Sequence, residues 1–482
     1  MGTASEAAPS VVDGRECLRE VMEGRIREMS MDSIRAAMRY VGMEEGSVEV
    51  VEGGREDKEL GDVIIELLKE CVGVKGEEEE EVKKDPSTSR NILRLVVNLA
   101  NRSHRIRHSI PREALSSLLQ LFHCRDVHLE LAALLTAFAF PLHMACSLCV
   151  DYDALLAGAA HLWVSTECDS TRSWFSAFFS ILLEKDASFL ANAFGDLPPS
   201  SFTALLHVVD ALMSEQEEKK SMIHQNNVQF IVDLLERIIF DFGEEEERTS
   251  DRMKEYCEQL PIIMEIVGSA ALCRSAYWEQ LHSKTVATTT TVRLLHTCLH
   301  AEGSLPRRPR LVKRANDRPE EVSAFRSGIV ESSPALERLA IDIVTMEEEE
   351  EKRMRSRLAA FKSSLVRAIG NLVCESALNR VKAGEEDAVI VCLVATKKGE
   401  DDEPFLTQWS IVALRHLCLG CPENQERLAA IESTPTGIVD RDNLLAEMGL
   451  RVENGMDEEG KRRVRLVNVR EKTTRDSGEK DR

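Results

Sequence analysis

The chain is poor in the residues that interrupt helices. Its 482 residues include 25 glycines and 14 prolines, which together make about 8% of the chain against roughly 12% in average protein usage. Aromatic residues contribute only 5%, so a large core must be built mainly from aliphatic side chains. Few breakers, together with abundant Leu, Ala, Glu and Arg, predict an all-α fold.

Positive charge is also in deficit. The 61 Lys and Arg residues are outnumbered by 83 Asp and Glu residues, which gives a formal net charge of −22. Such a chain repels phosphate backbones at long range, so we expect no nucleic-acid partner. The 13 cysteines lack the spacing of a small disulfide scaffold, and the first residues lack the pattern of a secretory signal. We therefore expect a cytoplasmic protein, with a perinuclear pool left open.

Sequence signatures of catalysis are missing as well. There is no GxSxG, no phosphate-binding Gly-Lys-Ser/Thr loop, no dinucleotide fingerprint and no kinase motif set. His296 and His300 share a helical face, but the glutamate of the zinc-protease motif does not lie between them. We expect a protein that is not an enzyme and that needs no cofactor.

One long run without charge raises the question of a membrane span. LAALLTAFAFPLHMACSLCV, Leu131 to Val150, is long enough to cross a bilayer. However, Pro141 lies within the run and no basic flank sets an orientation. We expect no membrane insertion, and we interpret the run as a buried helix that Pro141 breaks into two.

The chain also repeats itself. FKSSLVRAIGNLVCESALNRV, which begins at Phe361, aligns with the segment around LRHLCLGCPENQ at an offset of 45 residues: Asn371 falls on His416 and Asn379 on Asn424. This period lies in the roughly 40–47 residue range of armadillo and HEAT repeats. A related copy surrounds Asn98. The repeats predict an armadillo/HEAT-like helical solenoid, in which stacked units bury a continuous core.

Changes in composition predict two lobes. We expect an N-terminal armadillo-like lobe over residues 16–300, a flexible linker rich in Pro and Arg over 301–330, a C-terminal lobe over 331–450, and a charged, largely disordered tail over 451–482. In the tail, Asn454-Gly455 has the chemistry of a hairpin turn. In the linker, Arg307 to Arg314 reads RRPRLVKR, and both a nuclear import signal and a solvated basic loop remain open.

The C-terminal repeats resemble a known family. FKSSLVRAIGNLVCE, DDEPFLTQW, ALRHLCLGCPENQ and TPTGIVDRDNLLAEMGLRVE, all within residues 361–453, are similar to the C-terminal region of the ataxin-10 family. Members of that family often carry Asn where this chain has His416. The resemblance implies an armadillo-like fold without known catalysis. It also implies roles in neuronal survival, neurite outgrowth and cytokinesis through protein partners.

Three polar residues are candidates for protein binding. Asn98, Asn371 and His416 fall on the predicted third helix of their repeats. In armadillo proteins an Asn at this place lines the concave face and bonds the backbone of an extended partner; alternatively, such side chains tie adjacent repeats together. The expected function is that of a non-catalytic scaffold for other cytosolic proteins, and self-association into a homo-oligomer is left open.

The alternative function is that of a metal-binding or redox protein. His143, Cys146 and Cys149 are spaced so that one helical face would hold all three, and their side chains suit zinc. Cys is also a common small apolar residue of helical cores, which favours packing. Cys418 and Cys421 form a CxxC, but the expected helical surroundings differ from those of thioredoxin-like redox motifs.

Overall fold

The structure is a computed structural model that describes most of the helical part of the chain. The described residues are 37, 57–72, 86–102, 106, 114–147, 149–215, 223–244, 250–301, 348–396, 404–429, 431–434, 437–440, 450–456 and 462–468. The chain folds as two units. The first comprises Met1–Val208 and Met222–His224, and the second comprises Val209–Ser221 and Gln225–Arg482.

The described part of the first unit contains seven helices. They are α1 (Asp57–Val72), α2 (Pro86–Arg102), α3 (Ala114–Leu121), α4 (His128–Cys146), α5 (Val150–Ser165), α6 (Asp169–Lys185) and α7 (Phe189–Asp196), with a 3₁₀ turn at Arg125–Val127 before α4. Helices α1, α3 and α5 pack in one layer, and α2, α4 and α6 pack in the other. This two-layer stacking of helix pairs is the arrangement of a HEAT-like solenoid.

Helix α4 is the long apolar run identified in the sequence. It packs against α2 on one side and α6 on the other, so its apolar residues are needed on several faces. The span Arg125–Cys146 is the one helical span in the described part of the chain that is long and apolar enough to cross a bilayer, with a mean hydropathy of 1.6. Within that span's apolar window, 56% is buried inside the protein, as in the core helix of a solenoid.

The predicted break at Pro141 is wrong. Helix α4 continues through Pro141 to Cys146. A proline lacks the backbone N–H and clashes with the preceding turn, which usually kinks or ends a helix. Here neighbouring helices on two sides hold the helix, and Leu142 and Cys146 beyond the proline are fully buried. Packing therefore outweighs the local preference.

Helix α8 (Pro199–Glu215) precedes nine described helices of the second unit. These are α9 (Gln225–Glu244), α10 (Ser250–Ala270), α11 (Arg274–Leu281), α12 (Val286–Ala301), α13 (Glu348–Val373), α14 (Ala377–Glu385), α15 (Ala388–Ala395), α16 (Pro404–Cys418) and α17 (Pro422–Ala429). From α11 onward the order short helix, second helix, third helix recurs, which is the order of an armadillo repeat. The all-α solenoid predicted from the sequence is confirmed.

The repeats of the second unit build three stacks of equivalent helices. The first-helix stack consists of α11, α14 and α17, the second-helix stack of α9, α12 and α15, and the third-helix stack of α10, α13 and α16. Helix α15 has seven buried residues among its eight, because second helices are enclosed by the other two stacks. The core is aliphatic here, as the sparse aromatic content predicts.

The structure divides the chain at a different place from the predicted linker. Helices α12 and α13 flank residues 302–347, and they pack against each other as the second and third helices of one repeat. The Pro/Arg-rich segment, including Arg307 to Arg314, lies outside the described residues, and its role as a flexible linker stays a prediction.

Two short antiparallel hairpins follow the last helix. Strand β1 (Ile431–Thr434) pairs with β2 (Gly437–Asp440), and β3 (Leu450–Met456) pairs with β4 (Arg462–Asn468). Asn454 and Gly455 do not form the predicted turn, since they pair with Val464 and Arg463 inside the ladder. Part of the tail that was expected to be largely disordered is thus paired, along residues 451–456 and 462–468.

Candidate functional site

Two of the predicted binding residues tie the third-helix stack together. The Asn371 side-chain amide donates to the carbonyl oxygen of Gly268 on α10, at 2.8 Å. One repeat later, Nδ1 of His416 lies 2.9 Å from the carbonyl oxygen of Gly370 on α13. Both residues reach from their own third helix to a glycine carbonyl on the preceding one. The geometry therefore supports the tie rather than an open peptide-binding group.

Small residues allow this close approach. A Cβ atom on Gly268 would lie 3.6 Å from Cα of Ala368, and one on Gly370 would lie 3.4 Å from Cα of Ala413. Each alanine precedes its polar residue by three positions, so both face the same neighbouring helix. Glycine against alanine at successive interfaces brings the backbones near enough for a short polar side chain to bridge them.

A second pair of ties joins the first-helix stack, at residues that were not predicted as a site. Asn379 and Asn424 are completely buried. The Asn379 amide donates to the carbonyl oxygens of Leu281 and Leu372, at 2.9 and 3.0 Å. The Asn424 amide donates to those of Arg380 and Leu417, both at 2.9 Å. The repeat offset of 45 between the two asparagines was the available signal.

The surroundings of Asn424 are adapted to it. A Cβ atom on Gly384 would overlap Oδ1 of Asn424, so any larger residue there would displace the side chain. Nη1 of Arg427 donates to the same Oδ1 at 2.9 Å. By contrast, Oδ1 of the buried Asn379 has no partner among the described residues. The two equivalent asparagines therefore differ in whether the side-chain oxygen accepts a hydrogen bond from the described residues.

Ion pairs add charge to the same helices. Arg367 bonds Glu265 of α10, which also accepts from Ser364. Burial lowers the pKa of Arg367, and burial raises the pKa of the nearby Asp210, whose rise the Arg367 charge limits. Deeper in the unit, Arg293 forms a two-bond pair with Glu386, at 2.9 and 3.0 Å. These charges are paired within the fold.

The related copy in the first unit keeps the ion pair without the tie. Arg94, which aligns with Arg367, bonds Glu130 of α4 at 2.6 and 2.9 Å. Asn98 is half-buried, and no side-chain hydrogen bond joins it to the described part of the chain. The role of Asn98 in binding therefore stays a prediction.

The His143 cluster is a hydrogen-bonded core group. Nε2 of His143 lies 2.8 Å from Oδ2 of Asp186, and Nδ1 lies 3.1 Å from the hydroxyl oxygen of Tyr152. Burial and nearby acidic groups raise the pKa of Tyr152 well above its usual value, so the phenol remains a donor. Burial alone would raise the pKa of Asp186, but hydrogen bonds from Ser188 and His143 bring it below the usual value.

The hydrogen bonds of His143 argue against the alternative function as a metal-binding protein. Both ring nitrogens of His143 are engaged, and the described residues contain no group of three His, Cys, Asp or Glu side chains arranged for a metal ion. Cys146 is fully buried. The prediction that one helical face would hold all three residues is wrong: His143 and Cys146 lie on α4, whereas Cys149 lies beyond its end, just before α5.

The CxxC pair ends a repeat helix, as the alignment indicates. Cys418 is the last residue of α16, Gly420 has a φ of 66°, and both cysteines are unpaired thiols. Burial, reinforced by Cys421, raises the pKa of Cys418, and burial raises the pKa of Cys392 to about 12. Redox CxxC motifs instead depend on a lowered thiol pKa, so this pair lacks their electrostatics.

The outer face of α16 is apolar and open. Phe405, Ile411, Val412 and, just past the helix, Leu419 are 55%, 58%, 37% and 61% exposed. They lie at helical spacing on the side opposite to Ala413 and Leu417, which are buried. Four large apolar side chains on one exposed stripe exceed the scattered exposure of ordinary surfaces. We call these four residues the terminal stripe.

The segment that carries these features matches a protein family. The model of the spinocerebellar ataxia type 10 protein domain matches residues 361–465. Ataxin-10 of Bos taurus is 38% identical over 97 residues, which are 20% of this chain and 20% of that protein. Human ataxin-10 is 39% identical over 93 residues, 19% of each chain. The C-terminal region of this chain is therefore similar to ataxin-10 over about a fifth of the chain.

The ataxin-10 region, residues 361–465, contains the four residues that make the ties and the terminal stripe. Ataxin-10 of Xenopus tropicalis matches it as well, at 37% identity over 93 residues, 19% of this chain and 18% of that protein. The match thus spans about a fifth of the length of these relatives. Among solved structures, an engineered protein covers 83% of this chain at 10% identity, with 98% of its own length matched and a TM-score of 0.29, too low to bear on the fold.

Proposed function

We propose that this chain is a non-catalytic interaction scaffold of the ataxin-10 type, and that the terminal stripe on α16 is its interaction surface. The observation that carries the proposal is that buried polar and exposed apolar side chains occupy different places within the ataxin-10 region. Its buried polar groups bond neighbouring repeats, whereas its exposed apolar groups lie together on α16. Burial of four such side chains would contribute favourable free energy to association.

The partner that best fits the stripe is a second copy of the chain. Phe405 and Leu419 lie seven residues to either side of Val412. In an antiparallel pair of α16 helices around a two-fold axis at Val412, each Phe405 would meet Leu419 of the other copy. A two-fold interface requires a self-complementary surface of this kind. The charged residue on this face, Arg415, would then lie opposite the uncharged Trp409, since the two are three residues to either side of Val412.

The cellular role belongs to the same proposal. Similarity of the C-terminal region to ataxin-10 supports a cytoplasmic protein that acts through other cytosolic proteins. The roles implied by the resemblance are neuronal survival, neurite outgrowth and cytokinesis. In such a role the scaffold would use its helical surface for recognition and would carry out no chemistry itself.

Analytical ultracentrifugation of the full chain over a range of concentrations tests the stripe. We expect the wild type to self-associate and Ile411→Asp to remain monomeric, because a charge would be buried at the two-fold interface. Val164→Asp is the matched control, since Val164 is an apolar residue of α5 that is 47% exposed. It should behave as the wild type.

Two results would refute self-association through α16. One is a wild-type chain that is monomeric at every concentration, and the other is an Ile411→Asp variant that associates as the wild type does. Thermal melting of each variant, followed by circular dichroism, checks that the fold is retained. An exposed position should change the melting temperature little.

A further inference from the structure

The tie made by His416 leaves one of its ring nitrogens available for chemistry. A backbone carbonyl can only accept a hydrogen bond, so Nδ1 must donate its proton to Gly370 at 2.9 Å. In the neutral imidazole, Nε2 is then the unprotonated nitrogen. The tie to the backbone therefore fixes both the tautomer and the orientation of the ring.

A thiol lies at the unprotonated nitrogen. Sγ of Cys374 is 3.9 Å from Nε2 of His416. Of the two groups, only the thiol has a proton to share, so Cys374 donates and His416 accepts. A nucleophile within reach of a base, with the base oriented by a third group, is the arrangement by which proteins activate cysteine. Asn371 makes the equivalent tie one repeat earlier, and an amide there supplies no base.

Cys374 is also reachable from solvent. It is half-buried and lies just after the end of α13. The next residue, Glu375, adopts a φ of 61°, a region that is unfavourable for residues other than glycine and that recurs at functional positions. Cys392 is fully buried by comparison. Access and a base therefore coincide at Cys374.

We infer that Cys374 and His416 form a reactive thiol site that undergoes exchange with small-molecule disulfides. In the step, Nε2 of His416 takes the thiol proton, and the Cys374 thiolate attacks one sulfur of the disulfide. The sulfur–sulfur bond breaks, and a new bond joins Cys374 to the attacked half. The other half leaves as a thiolate and receives the proton back from His416.

An adduct on Cys374 would act on the interface between two repeats. The thiol and the His416 ring lie between α13 and α16, beside the Gly370 carbonyl. The charged residues that adjoin the pair in sequence are Glu375, just after α13, and Arg415 on α16. Modification of Cys374 would remove the contact between its thiol and the His416 ring. The concentration of small-molecule disulfides would then affect how the last repeat packs on α13.

The test uses the intact protein and oxidised glutathione at about pH 7, with the rate at each cysteine read by mass spectrometry. His416→Asn is the informative variant, because Asn371 shows that an amide can make the carbonyl tie. We expect modification of Cys374 to slow by at least about tenfold when the base is removed. The melting temperature should remain near that of the wild type.

Other cysteines provide internal references. Cys168 is exposed, and bonds from Thr171 lower its thiol pKa, so it should react at the same rate in both proteins. Cys418 should react more slowly than Cys374 in the wild type, since burial raises its pKa. If the variant merely loosened the interface, Cys418 and Cys374 would both become faster, which would count against the base.

Two further outcomes would overturn the inference. The first is an unchanged Cys374 rate in His416→Asn, and the second is a wild-type Cys374 that reacts no faster than Cys418. The second comparison needs no substitution, so it holds even if a variant folds poorly. His416→Gln, whose amide can also donate to Gly370 but cannot take the proton, repeats the first comparison independently.

Discussion

The first-helix and third-helix stacks of the second unit both join neighbouring repeats by side-chain hydrogen bonds to backbone carbonyls. They differ in which residue types can make those bonds. In the first-helix stack, Asn379 and Asn424 are both fully buried, and each donates to two carbonyl oxygens. In the third-helix stack, Asn371 and His416 each bond one carbonyl. Asn371 is 8% exposed, and His416 is half-buried.

The number of acceptors explains why one stack repeats its residue and the other does not. Two carbonyls around a buried site require two N–H donors on one nitrogen, which a neutral side-chain amide supplies at minimal size. A single carbonyl at the edge of the fold accepts a donor from either an amide or an imidazole. The third-helix stack can therefore change residue, and with His416 it gains a base.

The largest effect should come from the first-helix stack. Asn379→Ala removes the donor from two buried carbonyls, those of Leu281 and Leu372, and we expect a loss of roughly 2–5 kcal/mol because each unpaired group costs about 1–3 kcal/mol. Chemical denaturation followed by circular dichroism measures the loss. Asn379→Asp keeps the shape and removes the donors, so it should be at least as destabilising.

Asn98→Ala is the matched control for that substitution. Asn98 is a half-buried asparagine on a repeat helix, and its replacement should change the free energy of unfolding by less than about 0.5 kcal/mol. A tolerated Asn379→Asp would show that side-chain volume, rather than the paired donors, holds the first-helix stack together.

The third-helix stack should be less sensitive. Asn371→Ala and His416→Ala each leave one carbonyl without its donor, so we expect about 1–3 kcal/mol apiece, nearer the lower end for the more exposed His416. The double variant should therefore melt earlier, and the fraction that remains folded should self-associate as the wild type does. Normal melting with weakened association would instead return both residues to a binding surface.

Much of the fold follows from local sequence signals. The 45-residue offset identified the repeat, and it placed Asn371 and His416 on third helices that are now seen as α13 and α16. What the offset could not give is the partner of each side chain. The carbonyls of Gly268 and Gly370 lie 103 and 46 residues away in sequence, and no local pattern specifies such contacts.

The error at Pro141 has a physical cause. The proline was interpreted by a local rule, as a helix break. Packing between elements distant in sequence decides the outcome, because α2 and α6 hold α4 across Pro141. A local preference of a few kcal/mol is routinely overridden by burial on this scale.

The smallest predicted change in stability concerns the residues at which the third helices of two consecutive repeats end. Glu375 and Gly420 are 45 residues apart and have φ values of 61° and 66°, the left-handed conformation in which helices commonly end on glycine. Because a side chain costs roughly 1–2 kcal/mol there and glycine recovers only part of this, Glu375→Gly should stabilise the protein by up to about 1 kcal/mol.

Gly420→Ala should destabilise the protein by a similar amount, since its new Cβ would also meet Arg380 at 3.4 Å. Paired denaturation curves measure both changes. If Glu375→Gly destabilises the protein, then contacts made by the glutamate outweigh its backbone strain, and the two helix ends are not equivalent.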